Sequence, residues 1–563
     1  MMNSETKVCQ NCKKDFIIEP DDFAFYEKMK VPAPTWCPDC RLQRRYSWRN
    51  EWHLMRKKDI YGKEIFSNFN ENSPVKIMEV AEWYSDSWNP LQYGQEYDFS
   101  RSFFDQFRQL LGQVPLLSRS LNKPVNSDYC MNATEPKDCY LTFALSYVEN
   151  SMYSVWGGNS RDIFDCHIYN ESELCYDCVD VTKCCKTLYS VSCEGCSEIM
   201  FCKNCVGCNN CIGCANLKNK SYYIFNEPFA KEKYFKKIKE LGVTSRTNVE
   251  TLREKSVELW KKFPNKYIHG RHNDNVFGDY IYNSKNAKNC WRIVGGENVK
   301  YCQNFTNPGK DSYDHSNFGD GSELIYDSLI VGTGAYDVAF CWQCYPANRN
   351  IRYCAFCQNS SNLFGCISLR NKQYCIFNKQ YTKEEYEAHV PKIIEHMKSA
   401  GEYGEFFPME MSPMAYNESF AFEHFPLTKE EVEKRGLVWR EPKEKQFKST
   451  MSSADVIDDI ASVDESITKE VISCAHEGKC AHECAGVFKI THQELQFYKL
   501  LNIPLPRICQ NCRHYSRFAW RNPAKLWHRK CMKPGCTNEF ETSYAPDRPE
   551  IVYCEACYNQ EVA

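Results

Sequence analysis

No run approaching the roughly 18 apolar residues of a membrane span occurs in the 563-residue chain, so no transmembrane helix is expected. The opening stretch MMNSETKVCQNCKK lacks the apolar segment of a secretory signal, and a cytoplasmic location is the expectation. Strong charge of either sign is also missing. A net charge of −3 argues against a surface coated for nucleic acid and leaves only local basic patches to consider. There is no Gly-rich phosphate loop, no metal-binding His pair at helical spacing and no nucleophile elbow, so the chain is not expected to be an enzyme. The acidic residues Asp311, Asp314, Asp320 and Glu323 read as turn corners before they read as paired catalytic carboxylates.

What the chain has in excess is cysteine, 35 residues, an odd number. In a reducing compartment, metal ligation or buried thiols explain such a count better than a disulfide framework. Cys9-x2-Cys12 is followed by Cys37-x2-Cys40, two knuckles that together offer a tetrahedron of thiolates to a structural zinc. An offset of 472 lays Cys12, Phe16, Tyr26, Cys37, Cys40 and Trp48 on Cys484, Phe488, Tyr498, Cys509, Cys512 and Trp520. The C-terminal copy therefore predicts a second site from Cys480, Cys484, Cys509 and Cys512, with His476 and His482 close enough to compete for Cys480's place and Cys474 spare nearby. Cys531, Cys536, Cys554 and Cys557 form a third set. The positions matching that third set in the N-terminal copy are Asp59, Gly62, Val80 and Trp83, so a metal-free ribbon packed on Phe66, Val80 and Trp83 is expected there.

The middle of the chain is itself doubled. A shift of 152 lays Cys202, Cys205, Cys214 and Asn226 on Cys354, Cys357, Cys366 and Asn378, in strands reading YYIFN and YCIFN. Polar corners recur every eleven to twelve residues between short apolar runs, which predicts stacked strands in a parallel β-solenoid; a β-sandwich is the competing fold. Packing inside a narrow coil accounts for most of these cysteines. Cys202, Cys205 and Cys214, with Cys354, Cys357, Cys366 and Cys375, are the alternative: a zinc quartet in each half, or an iron–sulfur run that lacks its usual terminal proline.

The expected fold is mainly β and multidomain, a duplicated solenoid-like centre flanked by zinc ribbons and short capping helices. Its segments are a zinc ribbon plus degenerate ribbon over 1–95, a helical linker over 96–125, solenoid halves over 126–227 and 269–380, helices over 228–268 and 381–400, an acidic tether over 401–475 and a double ribbon over 476–563.

After each second knuckle comes a basic segment interleaved with aromatics. Arg41, Arg44, Arg45, Trp48 and Arg49 in one, and Arg513, Arg517, Trp520, Arg521 and Lys525 in the other, could bridge phosphates and stack on bases. The segment around KKDFIIEPDDFAFYEKMKVPAPTWCPDCR resembles a functionally uncharacterised zinc-ribbon family. Together with SPMAYNESFAFEHFPLTKEE and the YYIFN strands, the chain resembles uncharacterised cysteine-rich proteins of candidate-phylum bacteria. That resemblance implies an architecture and no activity. The functional expectation is a non-enzymatic scaffold carrying about three zinc ions, or up to five, that binds RNA or a ribonucleoprotein. A protein-interaction or self-assembly module is the first alternative, and a metal or redox protein the second.

Overall fold

The structure, a computed structural model, describes residues 3–306, 309–441, 447–480 and 482–562. It is mainly β. Two 13-stranded sheets form the centre, one running from Leu121 to Pro228 and the other from Gly270 to Gln380. Among the described residues no helix is long and apolar enough to cross a membrane.

Pairing along each array is parallel, and a residue faces the one twelve positions further on. Val155 faces His167, His167 faces Val179, and Val179 faces Val191. In the second array Glu323 faces Tyr336, Tyr336 faces Arg349 and Arg349 faces Ser361, with steps of thirteen or twelve. Surface side chains follow the coil, as in Lys137–Glu149 at 2.5 Å, twelve residues apart, and the amide ladder Asn275–Asn286–Asn298, with steps of eleven and twelve.

Strands this short can turn so soon because the backbone becomes left-handed at every third residue. Asp162, Asp165, Ile168, Glu171, Leu174 and Asp177 have φ between 46° and 63°. That region costs an ordinary side chain on the order of 1–2 kcal/mol, and Asn and Asp tolerate it best. This is why polar corners are legible in the sequence. With a corner every third residue, one position in three points into the narrow interior: Ile163, Cys166, Tyr169, Cys175, Cys178, Val181 and Cys184 form part of one buried cluster. The three-residue cysteine period at Cys202, Cys205, Cys208, Cys211 and Cys214 is the same interior row.

Each array ends in an antiparallel return, Ser221–Ile224 on Glu227–Pro228 and Gln373–Ile376 on Lys379–Gln380. The asparagine in each return completes the last layer. Asn378 accepts from the Ile367 N–H at 2.7 Å and donates to its carbonyl at 2.9 Å; Asn226 does the same to Ala215 at 2.8 and 2.9 Å. The side-chain amide thus stands in for the next strand. Replacing Asn378 with Ala strands two buried backbone groups and is expected to cost about 1–3 kcal/mol, read as a lowered urea midpoint with unchanged slope. Helices Lys231–Leu241 and Lys383–Ser399 follow the two returns, the second opened by the Thr382–Glu385 capping box and continuous through Pro391.

The flanks repeat one another. Hairpin, helix, helix and hairpin run Glu5–Val8/Asp15–Ile18, Pro20–Met29, Pro38–Tyr46 and Met55–Lys58/Glu64–Ser67 at one end. At the other they run Ile472–Ser473/Val487–Phe488, His492–Leu501, Gln510–Phe518 and Trp527–Lys530/Glu539–Thr542. Trp83, on helix Val80–Tyr84 beyond the second N-terminal hairpin, is wholly buried, whereas Phe66 of that hairpin packs against the guanidinium groups of Arg56 and Arg119. The acidic tether needs correction. Met409, Met411, Tyr416 and Phe420 are buried, as are Val456, Ile460, Val463 and Ile467, so most of 401–475 is packed rather than extended; its residues 442–446 lie outside the described residues.

Candidate metal centres and the docking of the terminal modules

One local design appears three times. A cysteine directly follows the first strand of a hairpin, and its sulfur accepts from the backbone N–H of a second cysteine at a helix N-cap. The pairs are Cys9 with Cys37 (3.2 Å), Cys474 with Cys509 (3.3 Å) and Cys531 with Cys554 (3.3 Å). The helices they cap begin at Pro38, Gln510 and Glu555, and the fourth cysteine lies in the first turn. A helix N-terminus favours thiolate over thiol, although at Cys37 the neighbouring Cys40 thiol pushes the value up. Cys509 is held down to about 4, chiefly by the Cys474 thiol beside it. Burial opposes ionisation of Cys554, yet the Asn538 amide and backbone N–H groups hold it down to about 6.

Four groups of ligand atoms are close enough to hold a metal ion: Cys9, Cys12, Cys37 and Cys40; Cys474, Cys484, Cys509 and Cys512; His476, Cys480, His482 and Cys512; and Cys531, Cys536, Cys554 and Cys557. Zn–S bonds of about 2.3 Å in a tetrahedron put neighbouring sulfurs about 3.8 Å apart. The sulfurs of Cys12 and Cys37 are 3.7 Å apart, those of Cys484 and Cys509 3.9 Å, and those of Cys536 and Cys554 3.9 Å. The first and last groups match the sequence expectation. The second corrects it, because Cys474 takes the place assigned to Cys480, which joins the two histidines in a further group.

The central cysteines read in the sequence first as packing, with metal ligation as the alternative. Among the described residues, Cys202, Cys205, Cys214, Cys354, Cys357, Cys366 and Cys375 belong to no such group. Their thiols instead donate to backbone carbonyls of their own array: Cys202 to Met200 and Cys211 at 3.5 Å each, and Cys366 to Phe364 and Cys375 at 3.5 and 3.3 Å. An interior one residue wide gives each sulfur a carbonyl partner, so cysteine fills it without an unsatisfied donor.

The basic segments do not face solvent. Cys37 and Cys40 fix the start of helix Pro38–Tyr46, and Arg41, Arg44 and Arg45, three and four residues apart, project from one side of it. Arg41 meets Asp314 at 2.7 Å, Arg44 meets Asp327 at 2.8 Å and Glu405 at 2.6 Å, and Arg45 bridges Asp314 and Asp327 at 3.2 and 2.7 Å. Burial disfavours the Arg41 charge, but Asp314 more than offsets this and holds it well above the usual arginine value. Trp48 is wholly buried against Trp342 and Phe407, and Arg49 pairs with Glu51. In the other module Arg513 and Arg517 both reach Asp165 at 3.0 Å. Arg521 lies over Trp156, and Trp520 is half-buried against Trp260; Lys525 is exposed. Of the ten residues expected to contact nucleic acid, Arg41, Arg44, Arg45, Arg49, Arg513 and Arg517 are paired with carboxylates inside the chain and Trp48 is buried, so these seven are not free to do so.

The docking is crossed. The N-terminal helix sits on the second array, at Asp314 and Asp327, and the C-terminal helix on the first, at Asp165. The two modules also touch, through His53 and Glu483 at 2.7 Å and Trp52 stacked on His514 at 4.3 Å. Between the arrays lies a cleft of about 840 Å³, lined by Trp156, Asn170, Tyr282, Arg292 and Asn304 among others. Arg271 of the second array closes on Glu194 of the first at 2.6 and 2.7 Å.

At one end of this cleft His269 Nδ1 lies 3.1 Å from both oxygens of the buried Asp279, which also accepts from Ser543 of the C-terminal module. Burial acts to lower the His269 pKa, but the Asp279 carboxylate outweighs it and raises it above the usual value. Asp279 is held below its usual range despite burial, with His269 the chief cause. The pair's stabilisation is therefore fully present from the ordinary aspartate pKa, about 4, up to the ordinary histidine pKa, about 6.5. It is lost as pH rises through the elevated His269 value, and at the acid end as pH falls through the depressed Asp279 value. Melting temperature followed against pH is expected to fall across the alkaline limb in the native chain, with that component absent in His269→Gln.

No protein-family model matches the chain, and no curated protein matches it. Among solved structures, a crystal structure described as a "putative acetyltransferase" from Desulfovibrio desulfuricans G20 aligns with 47% of this chain and 71% of that one at 10% identity. Its TM-score of 0.09 carries no argument about fold or activity.

Proposed function

We propose that the protein is a non-enzymatic, zinc-stapled interaction scaffold. Two β-solenoid-like arrays, built from turns of about twelve residues, are held face to face by zinc ribbons at the chain ends, and the cleft between them receives a protein partner in the cytoplasm. The observation that carries this reading is the crossed docking. Metal-anchored helices insert buried arginines between carboxylates of the arrays, so the ribbons serve the chain's own geometry. Four thiolate or imidazole donors to each ion suit structural rather than catalytic zinc.

A protein partner fits the cleft better than RNA. Asn170, bonded to Glu171, and Asn304, bonded to Arg292 and Asn317, each keep a further amide donor and acceptor for an extended main chain, whereas most of the arginines offered to phosphate by the sequence are paired with carboxylates. A photo-crosslinking residue at Asn304, in the chain's own cells, is expected to give nuclease-resistant protein adducts that the same residue at the exposed Lys237 does not. Adducts that carry nucleic acid, or the same adducts from both positions, would overturn the reading.

A further inference from the structure

We propose that the C-terminal module holds a dinuclear zinc centre in which the Cys512 thiolate bridges the two ions, an inference that rests on reading the ribbons as metal sites. Cys512 belongs to two ligand groups at once, with Cys474, Cys484 and Cys509 on one side and His476, Cys480 and His482 on the other. Its sulfur is 3.8 Å from that of Cys474 and 3.6 Å from that of Cys480, tetrahedron-edge distances in both directions. A thiolate keeps further lone pairs after binding one ion, so the second bond needs no additional residue.

The chain itself shows where the second site comes from. Cys9 and Cys12 are separated by two residues, whereas their structural counterparts Cys474 and Cys484 are separated by nine. The additional loop carries His476, Cys480 and His482, the three ligands the N-terminal ribbon lacks. Both histidines have a buried Nδ1 with no hydrogen-bond partner, a costly state for a ring nitrogen unless something else binds there. His482 is further fixed by stacking on Tyr515 at 5.5 Å. Five thiolates and two neutral imidazoles around two dications leave one net negative charge, against two for a single ion held by four thiolates, so sharing Cys512 also lowers the charge to be buried. Glu483, which reaches His53 of the N-terminal module, closes the same loop, so the second ion stiffens the contact between the chain ends.

Metal analysis of the full-length protein, prepared with zinc and freed of excess by gel filtration, tests this. Four zinc ions per chain are expected, one for each ligand group, falling to three in the His476→Ala/His482→Ala double variant with unchanged circular dichroism. Three ions in both proteins would overturn the dinuclear centre and leave the ribbons standing, whereas a value near zero in the native chain would overturn the ribbon reading itself. Exchange of zinc for 113Cd separates a bridge from two independent sites. Mutual splitting of an all-sulfur and a mixed sulfur–nitrogen resonance is expected, and unsplit resonances would overturn the bridge. With two metal–sulfur bonds of about 2.3 Å, zinc absorption spectroscopy should place the ions less than about 4.6 Å apart.

Discussion

Metal-stripped protein is expected to lose both terminal modules. Their hairpins have strands of only two to four residues, Ile472–Ser473 against Val487–Phe488 being the shortest, and such pairs are not stable alone in water. Binding free energy therefore becomes folding free energy, at about 10–16 kcal/mol for a structural zinc at neutral pH. Calorimetry of the chelated chain should show the main transition lowered and broadened, and restored by zinc. The loss should spread inward, because Cys37 and Cys40 anchor the helix whose arginines reach Asp314 and Asp327, and Cys509 and Cys512 do the same for Asp165. An unchanged transition in protein shown to contain no metal would remove the ribbons from the stability of the fold.

Asp314→Ala is expected to be the most damaging single substitution at the docking surface. Asp314 is wholly buried and pairs with both Arg41 and Arg45, themselves at most 1% exposed. Removing one member of a buried ionic network leaves an uncompensated charge, which costs about 3–5 kcal/mol. The neighbouring Lys28–Asp311 pair, also between the N-terminal module and the second array, is the control. Its lysine is half exposed, and Lys28→Ala should cost less than about 1 kcal/mol. Equilibrium urea unfolding of both variants separates the two effects, and equal losses would show that the buried network is no stronger than a surface pair. Replacing Arg41, Arg44, Arg45, Asp314 and Asp327 together with apolar residues should recover much of the stability, since well-packed hydrophobic groups can match such a network.

Much of this was legible before the structure. Knuckle spacing located all members of two of the groups that could hold a metal ion, and the 472-residue offset matches the repeated order of hairpins and helices. Corners were visible because Asn and Asp gather where φ is positive, but the three-residue period was harder to interpret. A row of cysteines at every third position reads equally as ligands or as an interior, and only the carbonyl partners of Cys202 and Cys366 distinguish them. Cys474 was missed as a candidate ligand because its place depends on following a two-residue strand, too short to leave a pattern. The arginines were misread for a different reason. Spacing at i, i+3 and i+4 reveals a shared helix face, but whether that face meets water or carboxylates some 270 residues away depends on tertiary structure. Residues 401–475 looked solvated because their apolar residues are scattered, and scattered residues can still pack singly against several surfaces.

The central claim is that metal-anchored ends hold the two arrays together. Small-angle X-ray scattering of the full-length protein, metal-loaded and then stripped at the same concentration, tests it most directly. The account predicts an increase in radius of gyration and maximum dimension on stripping, as the crossed helices leave Asp314, Asp327 and Asp165, with both values restored by zinc. Superimposable scattering curves from the loaded and the verified metal-free protein would contradict it.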